Sequence, residues 1–155
     1  MSTNRKEQGS QPEGQTETRG ATSRPQKPGV EGAVLVVDDN PVIRQIFRRA
    51  LELAQFKVAE AESGTRALTM LEHGRPALIV LDLMMQGMDG FKFLTQLRVR
   101  PEWKSIPAVV LSAKPLSADE KKFVSENAQH FQPKGKSAGD DVVRLAKQFL
   151  PQSGG

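Results

Sequence analysis

The chain has 155 residues, with 22 lysines and arginines against 18 aspartates and glutamates and no cysteine, which excludes disulfide bonds, thiolate nucleophiles and zinc sites built on sulfur. A formal net charge of +4 is too small and too scattered to indicate nucleic-acid binding. No apolar stretch approaches the roughly 20 residues that span a bilayer and the N-terminus lacks a signal-peptide core, so we expect a cytoplasmic protein without membrane insertion.

Residues 1–32 contain only two large apolar side chains, Met1 and Val30. A segment of this composition buries too little surface to offset the entropy lost on ordering. We therefore expect a disordered polar tail over 1–32, either an inert extension or a partner-binding arm. A single globular domain is expected over 33–150, followed by a short tail over 151–155.

Short apolar runs alternate five times with amphipathic helical patterns in the rest of the chain. Strands are predicted over 33–37, 56–61, 77–81, 108–111 and 130–133. Pro41 suits the first turn of a helix, and helices are predicted to be capped by Ser63, Asp89 and Ser117. The helix after Ser117 is predicted to end with Asn127 in a left-handed conformation. The last helix is predicted around 142–150.

This alternation predicts an α/β fold, a doubly wound five-stranded parallel sheet with helices on both faces, because each parallel pair needs a crossover connection. Polar side chains stand at or just after the carboxyl ends of four of the predicted strands. They are Asp38, Asp39, Asp82, Ser112 and Lys134. Since the functional crevice of such sheets lies beyond these ends, we expect the five side chains to line one crevice.

Three carboxylates at one edge form a hard oxygen site of the kind that binds Mg²⁺. Lys134 adds a positive charge and Ser112 a hydroxyl donor, both suited to phosphoryl oxygens. A carboxylate nucleophile in such a site would form an acyl phosphate. Asp82 is the candidate nucleophile, because its strand is expected to be central in the sheet.

The segments LVVDDNP, LIVLDLMMQGMDG, VVLSA and FQPK resemble the receiver domain of bacterial two-component response regulators. The resemblance covers about 33–150 and implies the flavodoxin-like, CheY-like receiver fold. It implies that Asp82 is the phospho-acceptor, with Asp38 and Asp39 as the acidic pair and Asp39 as the more direct Mg²⁺ ligand. The backbone carbonyl of Met84 would complete the metal site.

The same resemblance implies a switch around the phosphoryl group. Ser112 matches the hydroxyl that moves toward the phosphoryl group, and Lys134 matches the lysine that contacts it. Phe131 matches the switch aromatic, and the small Ala113 leaves an access path to the acyl phosphate.

Three positions depart from the family pattern. Gln86 and Gly135 stand where proline is usual, which should loosen the turn after the acceptor and leave the lysine less constrained. Phe131 lacks the hydroxyl of the tyrosine common at its position. None of these changes removes a reacting group, so phosphorylation is expected and the strength of switching is left open.

Since no second globular unit is expected after Leu150, the resemblance implies a single-domain response regulator that receives a phosphoryl group from a histidine kinase or histidine phosphotransfer protein. It would signal to a downstream effector protein as a monomer or weak dimer. It would not be an enzyme beyond self-catalysed phosphoryl acceptance and autodephosphorylation.

Three other functions compete with this one. A degenerate receiver could act as a constitutive protein-binding scaffold. A Mg²⁺-dependent hydrolase with an aspartate nucleophile, of the haloacid dehalogenase kind, would need an acid where Asn40 stands. A flavodoxin-like cofactor binder is disfavoured because the acidic DDNP segment would repel a phosphate.

Overall fold

The computed structural model describes residues 29–85 and 89–150. In this part of the chain, five strands alternate with five helices. The strands are β1 (Val34–Val37), β2 (Val58–Ala61), β3 (Leu78–Asp82), β4 (Ala108–Ser112) and β5 (His130–Pro133). The helices are α1 (Pro41–Leu53), α2 (Gly64–Leu71), α3 (Gly90–Val99), α4 (Ala118–Asn127) and α5 (Ala138–Phe149).

All the strands are parallel and form one sheet in the order β2-β1-β3-β4-β5. β1, β3 and β4 are buried along their whole length, which explains their continuous apolar sequences. The predicted doubly wound parallel sheet is therefore confirmed.

Two apolar clusters lie on opposite faces of the sheet. One packs α1 and α5 against the sheet through residues such as Phe47, Leu51 and Val142. The other packs α2, α3 and α4 against it through residues such as Phe93 and Leu97. Burial on both faces fixes the sheet between two helical layers, so its edges and strand ends remain as places for polar chemistry.

The predicted helix starts are confirmed at four places. Asn40 caps α1, whose first residue is Pro41, and Ser63 and Asp89 cap α2 and α3 through side-chain oxygens that accept backbone N–H groups. Ser117 forms a reciprocal capping box with Glu120 at the start of α4. Each cap provides partners for N–H groups that the first helical turn leaves without intrahelical acceptors.

The predicted left-handed conformation of Asn127 is wrong. Asn127 is the last residue of α4, and Ala128 follows with an extended backbone at φ −127°. Among the described residues other than glycine, the positive φ lies at Gln55 instead. The Asn127 side-chain amide donates to the carbonyl of Phe123, so it is used within the helix, and the chain passes directly into β5.

Two residues before Ala33, where the domain was expected to begin, contact the packed part of the chain. Val30 is buried in the cluster beneath α2, and the Glu31 carboxylate accepts the backbone N–H of Arg75 at 2.8 Å. Val30 and Glu31 therefore pack against the part of the chain between β1 and α5. Within the described residues, no helix has the length and apolar character needed to cross a membrane.

Candidate functional site

The register of the sheet brings the polar strand ends together. Val37 of β1 pairs with Leu81 of β3, so the next residues, Asp38 and Asp82, are neighbours at the same edge. Ser112 ends β4 beside β3, and it pairs with Pro133 of β5. Lys134 follows immediately, and its backbone N–H donates to the Ser112 carbonyl at 2.8 Å.

Three carboxylates converge at this edge. One oxygen from each of Asp38, Asp39 and Asp82 lies within 4.8 Å of the others. Asp38 and Asp82 are buried, with 1% and 7% exposure, whereas Asp39 is exposed. Two buried carboxylates so close together repel each other and lose hydration, so the site requires positive charge.

Lys134 supplies positive charge from the protein. Its Nζ lies 3.0 Å from Asp38 Oδ2 and 3.6 Å from Asp82 Oδ1. The lysine side chain is only 14% exposed, so these contacts are poorly screened by water. One lysine does not balance three carboxylates, which leaves a net negative site.

Burial and the charge imbalance of the site both affect the pKa of the Asp82 carboxyl. Burial raises the pKa of the Asp82 carboxyl from 3.8 to about 6, and the nearby Asp38 carboxylate contributes to the rise. The positive charge of Lys134 and the backbone N–H of Met84 oppose it. The Met84 N–H donates to Asp82 Oδ1 at 3.3 Å, so the same oxygen faces both stabilising groups.

The remaining predicted site residues surround the cluster at different depths. Ser112 is buried, and its hydroxyl exchanges hydrogen bonds of 3.2 Å with the backbone of Lys114. Met84 and Ala113 are exposed on the loops after β3 and β4. Gly135, which follows Lys134, is exposed. The ion pairs of Lys134 hold the lysine at the site although no proline follows it. Gln86 lies outside the described residues.

Phe131 lies apart from the carboxylates. Its half-buried ring packs against the apolar cluster on the α4 face of the sheet. It also lines a groove of about 310 Å³ between α4 and β5, with Leu116, Val124 and His130. Phe131 therefore connects the strand that leads to Lys134 with the surface beside α4.

Two features of the site escaped the sequence analysis. The first is the close packing of Gly90 against the backbone of β3 and the residue after it. A Cβ at Gly90 would lie 2.5 Å from Leu83 Cα and 2.8 Å from the Asp82 carbonyl oxygen. Only glycine lets the start of α3 approach the backbone of Asp82 this closely. Its position directly after the cap Asp89 was the available signal.

The second is Arg44, whose guanidinium donates to the Asp38 carbonyl at 2.7 Å and to Glu60 at 3.0 Å. Although partial burial acts in the opposite direction, hydrogen bonds from Arg48 and Arg44 hold the pKa of Glu60 below its usual range. Nothing in the sequence indicated this contact between α1 and β2, because it depends on how the helix is rotated about its axis.

Comparison with known proteins places this geometry in a family. The family model described as "Response regulator receiver domain" matches residues 34–144, from the start of β1 into α5. Response regulator Rre1 from Synechocystis is 39% identical over 88 residues, covering 56% of this chain and 38% of the relative. Two-component response regulator ARR17 from Arabidopsis thaliana is 34% identical over 129 residues, covering 76% of this chain and 84% of the relative.

Solved structures give the same result for the fold. The Vibrio cholerae chemotaxis protein CheY4 superposes with a TM-score of 0.70 at 26% identity, covering 77% of this chain and 99% of CheY4. The Thermotoga maritima response regulator protein TrrA, in complex with Mg²⁺–BeF, superposes with a TM-score of 0.66 at 26% identity, covering 76% and 98% of the two chains.

The shared segment is the receiver domain, and it makes up well under two thirds of Rre1. Receiver domains are signalling modules of two-component systems rather than enzymes that turn over a separate substrate. The match from β1 into α5, together with the five-stranded parallel sheet, shows that the chain belongs to the response regulator receiver domain family.

Proposed function

We propose that Asp82 accepts a phosphoryl group from a histidine kinase or a histidine phosphotransfer protein in a Mg²⁺-dependent reaction. The observation that carries this proposal is the buried Asp82 carboxylate beside Asp38, with Lys134 3.6 Å from Asp82. This arrangement combines a nucleophile with a fixed positive charge at the point where a phosphoryl group would attach.

The transfer forms one bond and breaks one. A carboxylate oxygen of Asp82 bonds to phosphorus, the bond from phosphorus to the donor's imidazole nitrogen breaks, and its electron pair returns to the imidazole. Because the Asp82 pKa is about 6, most of the carboxyl is ionised at pH 7 and able to react. Lys134 contacts a phosphoryl oxygen, and the Ser112 hydroxyl donates to another.

The residues at the site fit a Mg²⁺ ion. Asp38, Asp39 and Asp82 offer oxygens within 4.8 Å of one another, and hard oxygen ligands are those that Mg²⁺ prefers. The ion would be held by the side chains of Asp38, Asp39 and Asp82 and by the backbone carbonyl of Met84. When bound, it neutralises the carboxylates and polarises a phosphoryl oxygen.

The signal leaves the site through Ser112 and Phe131. Movement of the Ser112 hydroxyl toward the phosphoryl group frees the space beside β4 and β5, and the Phe131 ring moves inward. Ala113, small and exposed, leaves the acyl phosphate accessible. The surface of α4 and β5 then binds a downstream effector protein differently in the two states, and a partner must discriminate between them to be regulated.

We also propose that the protein acts in the cytoplasm, as a monomer or weak dimer, through protein partners and without binding nucleic acid. The formal charge of +4 over 155 residues supports the expected absence of nucleic-acid binding, because it provides too little positive charge for binding to phosphate backbones.

Incubation with acetyl phosphate and Mg²⁺, followed by intact mass measurement, tests the proposal. The wild-type protein should gain one phosphoryl mass, and both Asp82→Asn and EDTA should prevent the gain. Asp89→Asn, which alters an aspartate that caps α3, serves as the matched control and should still be labelled. Equal labelling of Asp82→Asn would overturn the assignment of the acceptor, and absence of labelling in the wild type would favour a constitutive scaffold.

A further inference from the structure

Asp38 is held at three separate atoms. Its side-chain Oδ1 accepts the backbone N–H of Asn40 at 2.9 Å, and Oδ2 accepts Lys134 Nζ at 3.0 Å. Its main-chain carbonyl, just past the end of β1, accepts Arg44 NH1 at 2.7 Å. The Asp38 N–H still pairs with the Ala61 carbonyl of β2, so Arg44 binds the first Asp38 group that lies beyond the ladder.

Arg44 is itself fixed by the neighbouring strand. Its Nε donates to Glu60 Oε1 at 3.0 Å, and its side chain is only 17% exposed. Glu60 lies in β2, so the guanidinium joins α1, β2 and the β1–α1 loop. A planar guanidinium can bond in two fixed directions at once, which a lysine ammonium on a flexible stem does less well.

We propose that Arg44 is a positioning residue for the acidic cluster, because it fixes the Asp38 carbonyl and thereby holds the loop that carries Asp38 and Asp39 against Asp82. The loop otherwise has to bear the mutual repulsion of the carboxylates when no cation is bound. This inference rests on the proposed function for the role of the cation. It adds that contacts of α1 and β2, through Arg44 and Glu60, influence the affinity of the acidic cluster for a metal ion.

Arg48 provides a matched control on the same helix. Its Nε also donates to Glu60, and NH1 donates to Glu52 at 2.7 Å. Among the described contacts, Arg48 reaches Glu60 without reaching the Asp38 carbonyl. Arg44→Met and Arg48→Met each remove one positive charge and one ion pair with Glu60, but only Arg44→Met releases the loop.

Charge and positioning predict opposite results. Removing a cation near three carboxylates would, by Coulomb attraction alone, strengthen the binding of a divalent metal. Loss of positioning weakens it, because ligands that are no longer oriented must be ordered by the metal. A weaker metal affinity in Arg44→Met therefore reports the positioning role and not the charge.

The experiment measures binding of Mn²⁺ alone, by the electron paramagnetic resonance signal of free Mn²⁺ in titrations of the full chain. Arg44→Met should bind about 10-fold more weakly than wild type, whereas Arg48→Met should remain equal or bind slightly more tightly. Arg44→Lys keeps the charge and should show an intermediate loss. If Arg44→Met does not fold, the Mn²⁺ affinity of Arg44→Lys tests the positioning role in its place.

The rate of labelling by acetyl phosphate gives a second readout. In Arg44→Met, the Mg²⁺ concentration for half-maximal rate should rise about 10-fold, while the rate at saturating Mg²⁺ should stay near that of wild type. Unchanged Mn²⁺ affinity in both Arg44 variants, or an equal loss in Arg48→Met, would overturn the positioning role. Failure of the wild type to label would overturn the proposed function instead, since the Mn²⁺ titration is independent of phosphoryl transfer.

Discussion

Lys134 Nζ lies 3.0 Å from Asp38 Oδ2, although the two residues are 96 positions apart in the chain. This ion pair joins the end of β1 to the end of β5 across the sheet. Because Asp38 is 1% exposed, the pair replaces water that the carboxylate has lost. Lys134 therefore stabilises the site before any phosphoryl group arrives.

We predict that Lys134→Met destabilises the metal-free protein by about 3 kcal/mol, because removal of one partner leaves buried carboxylates without compensation. The measurement is chemical denaturation at pH 7.5 with EDTA. Lys136→Met, an exposed lysine two residues further on, should change the free energy of unfolding by no more than about 0.5 kcal/mol. Mg²⁺ should stabilise Lys134→Met more than wild type, and equal effects of the two substitutions would contradict the role given to Lys134.

The second prediction concerns pH. The pKa of Asp82 rises from 3.8 to about 6 in the folded protein, mainly through burial. The folded state therefore holds the proton more tightly than the unfolded chain. The stability associated with protonated Asp82 is present below about pH 4 and is lost as the pH rises through about 6.

Asp82→Asn removes the free-energy cost of keeping an ionised carboxylate at this buried position. At pH 7 with EDTA, we expect the variant to be more stable than wild type by about 2–3 kcal/mol, since one pKa unit corresponds to about 1.4 kcal/mol. The advantage should disappear near pH 4. Denaturation curves of both proteins at several pH values provide the measurement, and a variant less stable than wild type at pH 7 would contradict the predicted sign.

The sequence predicted this site as well as it did because of one geometric rule. Side chains that follow parallel strands meet at one edge, and Asp38, Asp82, Ser112 and Lys134 each end or follow a predicted strand. Their grouping at one edge required only a parallel sheet, which follows from the alternation of strands and helices, whereas their individual roles came from the resemblance to receiver domains.

Contacts that depend on side-chain direction or helix rotation could not be predicted in this way. The bond from Arg44 to the Asp38 carbonyl needs α1 to present one face to β2. Asn127 was expected to end α4 in a left-handed conformation, but only Ala128 and Gln129 separate the helix from β5. So short a connection favours an extended backbone at Ala128.

The third prediction concerns Gly90. Gly90→Ala should destabilise the protein by about 2 kcal/mol or more, because the new Cβ would lie 2.5 Å from Leu83 Cα, a backbone atom. Gly139→Ala in α5 is the contrasting variant, since its Cβ would lie an ordinary 3.5 Å from the Ile46 side chain. That change should be neutral or stabilise the protein by up to about 1 kcal/mol. Thermal denaturation measures both, and similar losses would refute the close approach at Gly90.

The fourth prediction compares two N-terminal truncations. A chain that begins at Ala33 loses buried Val30 and the Glu31 carboxylate that accepts the Arg75 N–H, whereas a chain that begins at Gly29 keeps them. We expect the shorter chain to be less stable by about 2–3 kcal/mol, from one buried valine and its associated hydrogen bonds. Calorimetric melting temperatures test this. Coincident transitions would show that residues 29–32 contribute nothing to stability.

The last prediction concerns how phosphorylation reaches the surface beside α4. In the described structure, the Ser112 hydroxyl is occupied by the backbone of Lys114, and it must leave this partner to contact a phosphoryl group. Ser112→Ala removes the hydroxyl and leaves the Asp82 carboxylate intact. We therefore expect the variant to be labelled by acetyl phosphate, but with the response of α4 and β5 uncoupled from the site.

The coupling between the site and the surface of α4 and β5 is measured by amide hydrogen exchange in these two elements, with and without acetyl phosphate. A coupling free energy of about 1–3 kcal/mol corresponds to a change of about fivefold to 150-fold, so wild-type exchange should change within that range and Ser112→Ala exchange far less. Ser125→Ala, an exposed serine on α4, controls for the loss of a hydroxyl and should respond like wild type. If Ser112→Ala is labelled and its exchange changes as much as that of wild type, the Ser112 hydroxyl does not carry the signal from Asp82 to α4.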